Sequence, residues 1–142
     1  MEQMKVLRFT LSGKQAFFKK PEVNAYFYFT YGQIHRVALL GILGAIVGYK
    51  GYGCTGTYPE FYEKLKNLKV SIIPLAKNGY FAKKIQVFNN SVGYASKEEG
   101  GNLIVREQWL ENPMWRIMIL DDGSNEYKKI AEYLLTQKCT FI

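Results

Sequence analysis

The chain has 142 residues, 48% of them apolar, and a formal charge of +7; this is enough apolar material for one buried core and excludes a disordered polymer. Two cysteines and one histidine exclude a four-ligand structural zinc site, and no uncharged apolar run reaches the roughly 20 residues of a membrane-spanning helix. The basic excess is uneven: residues 1–71 hold ten Lys/Arg against four acids, and residues 72–142 nine against eight, a bias toward a polyanionic partner that releases counterions on binding.

The amino terminus shows no signal-peptide pattern. Met4–Ser12 alternates, with Leu7, Phe9 and Leu11 on one face, and predicts a half-buried strand. Gly13–Gln33 reads as a long loop punctuated by Gly13, Pro21 and Gly32. Ile34–Gly48 predicts a helix apolar nearly all round and therefore covered on most sides. Gly41, Gly44 and Gly48 each lower helix propensity by roughly 1 kcal/mol relative to Ala, so they call for a close approach by a sheet, another subunit or a phosphate backbone. Gly48–Gly56 is a glycine-rich loop. Tyr58–Asn67 predicts a short helix with Pro59 in its first turn and Phe61, Leu65 and Leu68 on one side.

Val70–Ala76 and Lys83–Val92 predict strands around the turn Asn78-Gly79, a favoured hairpin dipeptide. Leu103–Leu110 and Trp115–Leu120 predict two more, broken by Asn112-Pro113. Asp121-Asp-Gly-Ser124 reads as a turn and helix start, followed by Tyr127, Ile130, Ala131, Leu134 and Leu135 at helical spacing. Cys139–Ile142 completes the order as a last strand. Cys54 and Cys139, without Cys-x-x-Cys spacing, are expected as small buried apolar side chains in a reducing cytosol, so the expected location is cytoplasmic. The order of elements is the β-α-β-β-α-β plan of an α+β, ferredoxin-like or RNA-recognition fold. It predicts one domain over residues 1–142, with an inserted β-hairpin at about 81–111.

Three clusters carry candidate chemistry. Lys14, Lys19 and Lys20 flank Phe17 and Phe18, with Tyr26, Phe27, Tyr28, Phe29 and Tyr31 following. Cations interleaved with rings suit single-stranded RNA, and equally a core capped by aromatics under solvated lysines. His35 and Arg36 start the glycine helix, where free N–H groups attract phosphate and Arg36 offers bidentate contact; the alternative is an Arg36 paired with an acid and a packed His35. Lys83 and Lys84 open the hairpin and Lys97 lies near its tip, either on RNA or simply protecting an edge. No catalytic triad, phosphate loop or dinucleotide fingerprint occurs, so neither a cofactor nor a metal is expected.

Phe9-Thr-Leu-Ser-Gly13 gives an aromatic-x-x-x-Gly opening, Ala16-Phe-Phe-Lys-Lys-Pro21 an Ala-x-Phe-basic-x-Pro loop, and Thr30-Tyr31 precedes the helix Ala38-Leu-Leu-Gly-Ile-Leu-Gly-Ala45. In this order they resemble the amino-terminal signature of CRISPR-associated (Cas) family five, a subunit of type I Cascade surveillance complexes, most closely its type I-B members. The resemblance implies the ferredoxin-like fold with the hairpin as a protruding thumb. It implies a non-catalytic RNA-binding subunit in antiviral defence that holds the crRNA 5′ tag and caps the backbone filament. Its partners would be crRNA, the backbone subunit, the large subunit and, through the complex, target DNA, with no membrane. It places the loop-to-helix region around Arg36 near the tag and the thumb beside the first guide bases. Type I-C members cleave precursor crRNA with Tyr, Lys and a thumb histidine. Here the only histidine is His35, so the metal-independent endoribonuclease stands as the alternative and a purely structural subunit as a third reading. Family members continue beyond Cys139-Thr-Phe-Ile142.

Overall fold

The computed structural model describes residues 3–22, 27–89, 97, 99 and 103–138. The chain forms two compact units: Met1–Leu11 with Ile34–Ile73 and Trp115–Ile142, and Ser12–Gln33 with Pro74–Met114. They are called the core unit and the hairpin unit below.

Three strands, β1 (Val6–Ser12), β4 (Val70–Pro74) and β7 (Met114–Leu120), form a sheet in the order β1-β7-β4. Asp121 N–H donates to Lys5 O and Gly13 N–H to Pro113 O, so β7 runs antiparallel to β1. Leu120 N–H to Lys69 O and Leu75 N–H to Met114 O set the same relation to β4. Strands β1 and β4 are therefore parallel, with a third strand between them: the split β-α-β of the ferredoxin-like plan. The fourth edge expected at Cys139–Ile142 lies outside the described residues.

In the core unit, α1 (Arg36–Val47) packs against α2 (Glu60–Leu65) and α3 (Asn125–Leu135). Leu39, Leu40, Leu43, Leu65, Ile117, Ile119 and Ile130 are fully buried, each contributing about 1.5–3 kcal/mol relative to exposure. The glycines of α1 have a local reason. A Cβ on Gly44 would collide with Cβ of Phe61, whereas one on Gly41 would meet only the Phe61 ring at 3.7 Å. Within the chain the close neighbour of Gly41 and Gly44 is thus α2 rather than a sheet. Gly48 closes α1 at φ 88°, with Gly48 N–H on Ala45 O and Tyr49 N–H on Gly44 O, a Schellman ending. Ser124 Oγ caps α3 by accepting Tyr127 N–H at 3.1 Å, while Asp121 and Asp122 accept from Gly123 and Ser124 N–H. These bonds hold the Asp122 carboxyl below its ordinary pKa, the contact with Ser124 being the main cause. Leu135 departs from the expected apolar stripe and is 74% exposed. Cys54 likewise departs from the expected burial. It is an exposed, unbridged thiol, because it sits in the glycine-rich loop that offers no apolar cover.

The hairpin unit holds a second sheet built on β6 (Ile104–Glu111). Along one flank β5 (Lys83–Asn89) pairs antiparallel, from Lys83↔Leu110 to Asn89↔Ile104. Along the other flank β2 (Gln15–Ala16) pairs antiparallel at Glu111 and Leu110, and β3 (Phe27–Tyr28) pairs parallel at Arg106 and Glu107. The segment expected as plain loop thus carries two short strands. Two-residue strands are too brief to show a period of two, and their partners lie far away in sequence. Asn78-Gly79 does turn the chain, with Gly79 at φ 77°, yet β4 and β5 do not pair with each other. One joins β7, the other β6, so the dipeptide makes a turn between sheets rather than a hairpin. The tip expected at Gly93–Asn102 lies outside the described residues apart from Lys97 and Glu99, both exposed.

Candidate nucleic-acid interface

The basic loop is fixed by one buried hydroxyl. Thr30 is fully buried, and its Oγ1 accepts Phe18 N–H at 2.9 Å and donates to Tyr31 O at 2.8 Å. Lys20 N–H to Phe29 O and Tyr31 N–H to Phe18 O lock the two arms of the loop around a Lys19↔Thr30 bridge. Lys19 and Lys20 are thereby set opposite the Tyr28–Tyr31 arm. The Lys19 Nζ lies 4.0 Å from the centroid of the Tyr28 ring, and the Lys20 Nζ 6.0 Å from that of Tyr31, the first well within cation–π range and the second at its limit.

Residues directly opposite in neighbouring strands share a sheet face. One face of the β6 sheet therefore carries Trp109 with Lys84, Glu107 with Gln86 and Tyr28, and Val105 with Phe88. Phe17 joins this face, its ring stacked on Trp109 at 6.5 Å and 29°, and Phe88 flanks Trp109 on the other side at 5.6 Å. Glu107 Oε2 accepts the indole N–H of Trp109 at 2.9 Å and fixes the ring's orientation. The result is a row of three rings, Phe17–Trp109–Phe88, beside the Lys84 position. Beyond Phe88 a cleft of about 310 Å³ opens, lined by Tyr28, Phe88, Asn89, Val105 and Glu107. The opposite face is different. Ile85, Val87 and Ile104 lie there 58%, 60% and 55% exposed, next to Lys83 and Arg106.

Of the residues singled out in the sequence, Phe17, Lys19 and Lys84 belong to the ring-bearing face or its rim, and Lys83 to the opposite face. Lys14 is exposed beside β2, and its carbonyl accepts Asn112 N–H at 2.8 Å. Phe18 is half-buried and anchors the loop through its backbone; Tyr31 is 38% exposed. His35 and Arg36 belong to the core unit. His35 is the N-cap of α1, its Nδ1 accepting Ala38 N–H at 3.2 Å. Arg36 is exposed and pairs with backbone carbonyls rather than with an acid. Its Nη2 donates to Lys66 O at 2.5 Å and Leu68 O at 2.9 Å, closing the carboxy-terminal end of α2. Trp109, Phe88 and Glu107 were not among the expected site residues. The signal lay in the alternation of Lys83–Val92 and Leu103–Leu110, which becomes readable only once their register is known.

The fold is α+β with sheets antiparallel except for the short β3–β6 pairing, and its core unit follows the ferredoxin-like plan. Among solved structures, a chain of a CRISPR RNA-guided surveillance complex shares this fold, with a TM-score of 0.58 and 16% identity over 94% of this chain and 54% of that one. The present chain thus spans about half the length of that protein. No family model matches the sequence, and no curated protein matches it. Among the described residues no cluster of three potential metal ligands occurs, and no helix is long and apolar enough to cross a membrane.

Proposed function

We propose that this chain is a non-catalytic, single-stranded-RNA-binding subunit of a type I CRISPR Cascade complex, of Cas family five and type I-B character. In this reading it holds the crRNA 5′ tag and caps the backbone filament. The observation that carries the proposal is the ring-and-cation face of the hairpin unit, where Phe17, Trp109 and Phe88 stand in a row beside Lys84, with Lys19 on the adjoining loop. Rings give sequence-tolerant stacking worth roughly 1–3 kcal/mol per base, and lysines hold the intervening phosphates. The amino-terminal signature and the shared fold support the Cascade assignment. The exposed Ile85, Val87 and Ile104 on the other face supply an apolar surface suited to a neighbouring protein subunit, and the β5–β6 hairpin is the proposed thumb. The non-catalytic reading is favoured by His35, whose ring serves as a helix cap.

The test is affinity purification of the chain from its native host with sequencing of the bound small RNA. RNAs that share one repeat-derived 5′ end and differ in the following spacer are expected. Recovery of partner proteins without RNA would overturn the RNA-binding role in favour of a structural subunit, and cleavage of repeat RNA by the purified chain without metal would restore the nuclease reading.

A further inference from the structure

The cleft beside Phe88 has features that a stacking platform does not require. Its volume, about 310 Å³, is at the small end for ligand sites. Its walls rise from the two strands that flank β6. Tyr28 stands opposite Glu107 on one side and Phe88 opposite Val105 on the other, so the rings originate two strand spacings apart, roughly 10 Å. A planar heterocycle fits between such walls. Lys19 Nζ lies 4.0 Å from the centroid of the Tyr28 ring, a residue that lines the cleft, while Lys19 itself does not line it, which suits the cation to a neighbouring phosphate rather than to the base.

The floor carries the selectivity. Glu107 is half-buried, and its Oε2 is held by the Trp109 indole. An ionised carboxylate accepts hydrogen bonds only, at about four lone-pair positions. Among the described residues Trp109 is its one donor, which leaves Oε1 to accept from whatever enters. We propose that this cleft is a nucleobase site whose Glu107 selects a base bearing an exocyclic amino group, cytosine being the cleanest case, over uracil. Cytosine presents N4–H₂ to a carboxylate. Uracil presents O4 at the same position, and two like partial charges would face each other with the carboxylate desolvated. Lys19, beside the Tyr28 ring, holds the flanking phosphate. This inference rests on the single-stranded-RNA reading above and adds a preference at one nucleotide to it.

The experiment measures binding of short oligocytidine and oligouridine, equal in length and end-labelled, to the full chain stripped of RNA, by fluorescence polarisation at fixed salt. The two pyrimidines have the same size and differ at the edge Glu107 would read. Oligocytidine is expected to bind roughly tenfold tighter or more. Glu107→Gln keeps a carbonyl acceptor for the Trp109 N–H and the same shape, so the fold is retained; it adds a donor that uracil O4 accepts, and the preference for oligocytidine should collapse. Phe88→Ala should weaken both RNAs alike. Equal binding of the two RNAs by the wild-type chain, or a preference that survives Glu107→Gln, overturns the base site and leaves RNA binding standing. Failure of the chain to bind either RNA overturns the RNA reading itself.

Discussion

The helices and central strand of the core unit and the β6 sheet with its basic loop in the hairpin unit expose their large apolar side chains to different degrees. In the core unit Leu39, Leu40, Leu43 and Ile117 are sealed from water, and the helix ends are closed by His35, Gly48, Arg36 and Ser124. In the hairpin unit the rings stand on an open sheet, and Phe29, Tyr31 and Phe88 are each 38% exposed. The chain's two tryptophans divide the same way: Trp115, in the core unit, is 2% exposed, whereas Trp109 is half-buried and oriented by a carboxylate. Apolar content alone would count these residues together. Their surroundings separate residues that hold the fold from residues available to a partner.

The most severe way to break this contrast is a pair of truncations. Leu43→Ala is expected to cost about 2–5 kcal/mol in urea unfolding, whereas Trp109→Ala should leave a folded protein and lower RNA affinity by about 1–3 kcal/mol. If Trp109→Ala unfolded the chain instead, the open face would be core after all. A second pair sharpens the reading of α1. Gly44→Ala gains about 1 kcal/mol of helix propensity but drives a methyl into Phe61, a clash of typically 1–3 kcal/mol, and should destabilise. Gly41→Ala meets only ordinary contact and should stabilise by up to about 1 kcal/mol. Thermal melts of both variants read the opposite signs directly.

The smallest effect expected is acid-linked. Because the folded state holds the Asp122 carboxyl below its ordinary value, the contribution is fully present above that value and is lost as pH falls through the folded one. Asp122→Asn should therefore lower stability slightly at neutral pH and flatten the acid limb, with the variant and the wild type converging at low pH in urea titrations taken from neutral pH downward.

Local features were legible in the sequence because their causes are local. The Ser124 cap, Pro59 at the entry to α2, the alternation of β1 and the β5 and β6 strands all follow from neighbours a few residues apart. What escaped was set at a distance. Nothing near Gly44 announces Phe61, and nothing near Phe17 announces Trp109. The Asn78-Gly79 dipeptide states a turn without stating which strands it joins. Arg36 was legible as a cation at a helix start, but its carbonyl partners Lys66 and Leu68 belong to another helix. The candidate site was half visible for the same reason: its lysines and loop aromatics cluster in sequence, while Phe88, Trp109 and Glu107 reach them only through pairing with β6.

That dependence on β6 has a consequence for how the protein is made. The short strands of the basic loop pair only with a segment near the other end of the chain, Gln15 with Glu111 and Phe27 with Arg106. At about 5–20 residues per second of synthesis, the loop emerges from the ribosome on the order of ten seconds before its partner strand. Through that interval its lysines and rings are a nascent basic segment without a sheet to lie on, and the surface proposed to grip RNA is among the last parts of the molecule to form.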